Sequence, residues 1–210
     1  MSDEAARTKE YLENRYGPSN FWVSSLDLLG RQPLLRNPMD MLGDRGAEGV
    51  PVRLPNGKVI ENPFTWSGYV VGPASANLAK VAEAGRALGN NFSEMLSNPY
   101  ADEGASLYLA TGLGAYVGQG GKFDYQREGS FLTGYTPHRH FRDISNVNVG
   151  LLAQQAGLTL EETLSISENF ARVFSSNARP SEPYSLDPRT KYFIEVGFQI
   201  GVSGVYNRPR

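Results

Sequence analysis

Three short stretches gather the residue types that can do chemistry. His138 and His140 are the chain's two histidines and lie together in Pro137-His138-Arg139-His140. On an extended strand this spacing turns both rings to one face, where they could share a metal with Asp124 or Asp143, or supply a general acid or base near neutrality. A solvated polar turn explains the same spacing more simply, so neither a metal nor a cofactor is expected. Lys122-Phe123-Asp124-Tyr125 follows the turn Gly118-Gln119-Gly120-Gly121 and sets an ammonium, a carboxylate and a phenol side by side. Strand-like alternation would send Phe123 and Tyr125 to one face and Lys122 and Asp124 to the other. In Asn146-Val147-Asn148-Val149-Gly150 two amides alternate with valines and would face one way, placed to orient a substrate carbonyl or a sugar hydroxyl, or else to cap a following helix.

Several chemistries drop out. With no cysteine there is no thiol nucleophile, thiolate zinc site or disulfide. The glycine turn lacks the Lys-Ser/Thr ending of a phosphate-binding loop, and neither a Gly-x-Ser-x-Gly elbow nor a His-Glu-x-x-His motif occurs. Glycoside hydrolysis needs a carboxylate acid or base, and Asp124, Asp143, Glu161, Glu162 and Glu168 are the candidates by position. Glu162 is claimed by a capping box with Thr159, and Glu168 pairs with Arg172 four residues on.

The elements that must position these groups fall into two stretches. Residues 1–72 read as an extended portion: a short helix over Ala5 to Tyr16, then many prolines, with Asn56-Gly57 turning a hairpin over Val52 to Ile60 that Pro51 and Pro55 confine to a sheet edge. Residues 73–210 read as a helical core. One helix is capped by Ser75 and stops at Gly89-Asn90, and a second runs from Asp102 to Tyr116. A short third covers Asn148 to Gly157. The capping box Thr159-Leu160-Glu161-Glu162 opens a fourth, with Leu160, Leu164, Phe170 and Phe174 on one face, and Asp187-Pro188 opens the last. The fold class is therefore α+β, mainly α, as one compact unit.

At 210 residues the chain is long enough to bury a core unaided. Its 20 basic and 22 acidic side chains give a net charge of -2, which denies it the global positive field of a non-specific nucleic-acid binder. Lys122, Arg127, Arg139 and Arg142 make the one local basic patch. Residues 1 to 20 contain no basic segment leading into an apolar run, and no later stretch is long and apolar enough to span a membrane. Export without a cleaved signal is the corresponding expectation.

The run Gly120-Gly121-Lys122-Phe123-Asp124-Tyr125, then Phe141-Arg142-Asp143-Ile144-Ser145-Asn146-Val147-Asn148-Val149-Gly150, Ala156-Gly157 and Asp187-Pro188, resembles the bacterial polymorphic toxin type 44 family over about residues 100 to 203. That resemblance implies an antibacterial effector, carried by a secretion machine or as the tip of a larger toxin, neutralised in its producer by a cognate immunity protein, and acting in the target bacterium. The His-Arg-His patch lies outside the shared motifs. The resemblance therefore shifts the expected site to Asp124, Asn146, Asn148 and Asp143, with Lys122, Tyr125, Tyr135, His140 and Arg142 contacting substrate. Hydrolysis of peptidoglycan glycan strands in the periplasm is the favoured reading. A nuclease using His138 or His140 and the basic patch, and a non-catalytic structural or adaptor protein of a secretion or phage-like particle, are the alternatives.

Overall fold

The computed structural model describes residues 49–98, 102–130, 134–174 and 179–207. The helix expected over Ala5 to Tyr16 lies outside the described residues. The expected class holds: α-helices dominate, with short antiparallel pairings beside them.

The Asn-Gly hairpin is part of a small closed knot. Gly57 takes φ +81°, the left-handed conformation that a tight turn needs and glycine adopts without strain, and Arg53 bridges Val59 across it. The Val52 N–H donates to the Val70 carbonyl at 2.9 Å, Val70 to Ile60 at 2.8 Å and Ile60 to Val52 at 3.0 Å. Three extended segments are thus joined in a ring. All three side chains point into the core, the most exposed at 7%. Strands β1 (Val50–Pro51) and β2 (Val71–Gly72) pair antiparallel at its open end, which gives Pro51 the edge position expected of it. A second pair, β3 (Arg127–Ser130) with β4 (Gly134–Pro137), lies farther along the chain.

Helix α1 spans Leu78–Ser97, and its cap is Asn77, whose side chain accepts from the Lys80 N–H, rather than Ser75. It runs through Gly89-Asn90 instead of stopping there. The reason is packing: a Cβ on Gly89 would lie 2.5 Å from the Ala156 carbonyl oxygen, and one on Gly85 equally close to that of Leu152. These glycines permit backbone contact rather than mark an end. Helix α2 covers Asp102–Val117, close to expectation.

Helix α3 covers Arg142–Gln155, six residues earlier at its start than the sequence led us to expect. It is buried on nearly every side, with α1 along one flank and α5 (Pro188–Val202) along another. At the α3–α5 crossing a Cβ on Gly150 would fall inside the Ile194 carbonyl, and one on Gly197 inside that of Val147. Glycine is required on both helices. Gly157, at φ +89°, ends the α3 region.

Helix α4 (Leu160–Phe174) starts with the expected capping box: the Glu162 N–H donates to Thr159 Oγ1 at 3.2 Å, and the Thr159 N–H to Glu162 Oε2 at 2.8 Å. Leu164 is buried, but Phe170 is 37% exposed, because six residues separate it from Leu164 and turn it off that face. Asp187 caps α5 through the Thr190 N–H, with Pro188 in the first turn. One apolar cluster joins Val52, Ile60, Phe64 and Val70 of the knot to Val81, Val147, Leu151 and Tyr192 of the helices. No helix among the described residues is long and apolar enough to cross a membrane.

The crossing sets a test. Gly150→Ala is expected to lower unfolding free energy by about 1–3 kcal/mol or more through overpacking. Gly114→Ala, where no atom lies within 4 Å of the new Cβ, should be neutral or stabilising by up to about 1 kcal/mol. Urea denaturation followed by circular dichroism separates the two, and equal stability of both variants would contradict the close crossing.

Candidate functional site

The site is built where the turn after α2 folds back onto α3. Lys122 donates its N–H to Ala115 O at 3.0 Å and Phe123 to Tyr116 O at 2.7 Å, closing off carbonyls at the end of α2. Gly120 supplies a positive φ of +71°, and Gly121 lies so close to Tyr116 that a Cβ would meet its backbone at 2.8 Å. Phe123 stacks on Tyr116 with centroids 5.7 Å apart. The glycine cluster is therefore a folding device, and its amides turn inward to protein acceptors.

The turn is fastened to α3 by two of that helix's buried polar side chains. Asn148 Nδ2 donates to Phe123 O at 2.9 Å, and the Gln126 N–H donates to Ser145 Oγ at 3.1 Å. Residues 145 and 148 share a helix face because they are three apart. Asn146 and Asn148 do not, since positions two apart on a helix diverge by about 200°. The common face expected from alternation belongs to a strand, and this segment is helical. Alternation also fails in the turn: Lys122 is exposed, whereas Phe123 and Asp124 are both buried.

Asp124 is 4% exposed. Its Oδ2 accepts from the Gly120 N–H at 2.8 Å and from Arg127 NH1 at 2.7 Å. Its Oδ1 is buried without a hydrogen-bond partner among the described residues, as are Asn146 Nδ2 and Asn148 Oδ1. Leaving such an atom unpaired costs about 1–3 kcal/mol, so each orphan asks for an explanation. Three of them lie within the two motifs that meet at this junction.

On the outer side of the junction lies a cleft of about 410 Å³, walled by α2, α3, α4 and the start of α5. Leu113, Val117, Val149, Ile166, Phe170, Leu186 and Ile194 give it an apolar lining, while Gln119, Gln126, Arg127, Arg142, Asn146, Ser167, Asn169 and Thr190 supply polar groups. Among the described residues no Asp, Glu or His lines it. Arg142 binds Asp187 and Thr190 Oγ1, the latter at 2.7 Å, which ties the first turn of α3 to the cap of α5. Asp124 stands behind Arg127, outside the lining.

The other expected site residues are spread around this junction. Asp143 is 3% exposed and receives two bonds from Arg189, at 2.9 and 2.6 Å, and one from Asn62 Nδ2 at 2.7 Å. It locks the knot, α3 and α5 together. Such a carboxylate, with both oxygens committed, is structural. Tyr125 is half-buried, and burial raises its phenol pKa while a backbone hydrogen bond from Asn77 pulls the other way. Lys122 lies 5.6 Å from the Phe123 ring centroid, out in solvent. Tyr135 stands on β4 opposite Gly129.

His138 and His140 are not on a strand: the first precedes a 3-10 turn over Arg139–Phe141 and the second lies within it. Their rings meet edge to face at 5.9 Å, and His140 packs 4.0 Å from Phe141. Neither lines the cleft, and no group of three His, Asp or Glu suited to a metal occurs among the described residues. Sequence reading missed Ile166, Phe170, Gln126 and Thr190 as cleft residues. The exposed pair Ile166 and Phe170, four apart on α4, was the available signal.

A scan of protein-family models, a search of curated proteins and a search of solved structures each return no match to this chain.

The Asp143 junction can be tested apart from any activity. Asp143→Asn weakens the two bonds from Arg189, whose side chain is 15% exposed, and the one from Asn62 at a buried junction, and should lower unfolding free energy by about 1–3 kcal/mol. Thermal and urea unfolding measure it; unchanged stability would return Asp143 to the pool of catalytic candidates.

Proposed function

We propose that this chain is an antibacterial effector of the type 44 kind that attacks the target-cell envelope, with Asp124, Asn146 and Asn148 as its working groups. The observation that carries the reading is the coincidence of three buried, unpartnered polar atoms with the two motifs that resemble that toxin family. Asp124 Oδ2 is committed to the Gly120 N–H and Arg127, which leaves Oδ1 to take or give a proton. The Asn146 amide, which lines the cleft, is suited to donate to a hydroxyl or acetamido oxygen of a glycan, whereas Asn148 lies on another face of the helix and holds the Asp124 turn through its bond to Phe123 O. Asp143 is withdrawn by its double bond to Arg189, so one carboxylate of the two expected in the catalytic set keeps an open oxygen. Arg127, with its side chain 28% exposed, bonds Asp124 Oδ2 and also lines the cleft, so it connects the carboxylate to that surface.

The experiment is expression in a heterologous bacterium, once in the cytoplasm and once with an export signal. Lysis on export alone is expected. Toxicity confined to the cytoplasm would favour the nuclease reading with His138, His140, Arg139 and Arg142. Harmlessness in both compartments would favour a non-catalytic adaptor. Asp124→Asn should reduce killing by about 10²-fold or more, the usual scale for a lost acid or base. Asn146→Ala should abolish killing while leaving stability equal or about 1 kcal/mol higher, since it removes an unpaired buried donor. Wild-type killing by both soluble variants would take the site away from these residues. A cognate immunity protein and a secretion-machine or larger toxin carrier are the partners that this reading brings with it.

A further inference from the structure

The cleft has a polarity gradient that the glycan reading does not use. Along α3 its lining passes from Arg142 to Asn146 to Val149, one turn at a time, from a cationic side chain to an amide to a methyl surface. Val149 packs against a buried apolar cluster of Leu164, Ala171, Leu186 and Ile194, so the far end of the cleft is mainly apolar, with Ser167 and Asn169 beside Ile166 and Phe170. At the near end Arg142 and Arg127 are 26% and 28% exposed. Arg142 uses a single nitrogen for Asp187 and Thr190, and Arg127 a single nitrogen for Asp124. The remaining N–H groups of each fork have no protein partner among the described residues.

Asp187 and Asp124 pair with one side of each fork, and no carboxylate among the described residues lines the cleft itself. Asn146, 8% exposed with its Nδ2 unpartnered, stands between the two regions. Two guanidinium forks at one end, hydrocarbon at the other and a volume of about 410 Å³ match a small amphipathic anion, within the usual range of small-molecule sites.

We infer that the cleft binds an amphipathic anion, its apolar chain against Val149, Ile166 and Phe170 and its phosphate or carboxylate head at Arg127 and Arg142. The inference deepens the envelope reading and rests on it for one step: a glycan joined through phosphate to a lipid chain presents tail, anion and sugar together, and Asn146 lies where tail gives way to head. The substrate class is then a lipid-linked glycan rather than a mature strand. A head group at Arg127 competes with Asp124 Oδ2 for that guanidinium, which connects occupancy of the cleft to the carboxylate.

Titration calorimetry on the full chain tests this with farnesyl phosphate, farnesol and inorganic phosphate. Farnesyl phosphate should bind about tenfold or more tighter than farnesol, the worth of a charge-assisted hydrogen bond. Inorganic phosphate alone should bind much more weakly than either. Arg127→Gln should cost farnesyl phosphate about tenfold and leave farnesol unchanged. Ile166→Glu, at an exposed position, should weaken both without lowering the melting temperature. Sodium decanoate distinguishes the sources of the anion: binding as tight as that of farnesyl phosphate would identify a fatty-acid site and overturn the lipid-linked glycan while keeping the amphipathic anion. Equal binding of farnesol and farnesyl phosphate, or no binding of either, would overturn the inference altogether. Lysis on export with no farnesyl phosphate binding would leave the envelope reading standing alone, and binding without toxicity would do the reverse.

Discussion

The structure depends on the backbone contact that helix α3 makes with its two neighbours. Gly85 and Gly89 of α1 lie against the Leu152 and Ala156 carbonyls, while Gly150 and Gly197 bring α3 and α5 together at their crossing. At these points there is no room for a side chain. Close crossings of this kind replace side-chain interdigitation with backbone contact and fix the axial register of both pairs, since sliding either helix would drive a neighbouring side chain into a carbonyl. With α3 clamped on two flanks, the remaining flanks receive the turn after α2 and the helix α4. Every candidate group is placed by that clamp.

Burying a helix on all sides raises the cost of each polar residue in it, and α3 carries several. Most are satisfied by elements that arrive from elsewhere: Ser145 accepts from the turn, Asn148 donates to it, and Asp143 binds Arg189 of α5 and Asn62 of the knot. These polar contacts dictate which segment docks where, because a misplaced segment would leave donors and acceptors dry. Against that background the open atoms of Asp124, Asn146 and Asn148 stand out. They are what the proposed chemistry uses.

The same architecture distinguishes two roles that the sequence presents as one. Asp124 and Asp143 are both buried carboxylates beside arginines, at 4% and 3% exposure. Asp143 has both oxygens engaged and joins three elements, whereas Asp124 keeps one oxygen uncommitted beside a partly buried arginine. Arg127 and Arg142 divide similarly. Each is anchored to a carboxylate outside the cleft lining, and each presents what remains of its fork to the hollow in front of it.

Local signals fixed the helix ends that rest on local bonds. The capping box at Thr159, the Asp187-Pro188 start, the Gly157 stop and the Asn56-Gly57 turn were all legible in the sequence, because each is satisfied within a few residues. The mainly helical class was legible on the same terms. What tertiary structure alone decided is whatever depends on a distant partner. Gly89 reads as a stop but is a contact, since its meaning lies in the Ala156 carbonyl 67 positions away. Asn146-Val147-Asn148 alternates like a strand but is helical, because the surroundings bury nearly every face and erase the periodicity that betrays a surface helix. The cleft was illegible for the same reason: its walls come from four helices, and no window of sequence contains it.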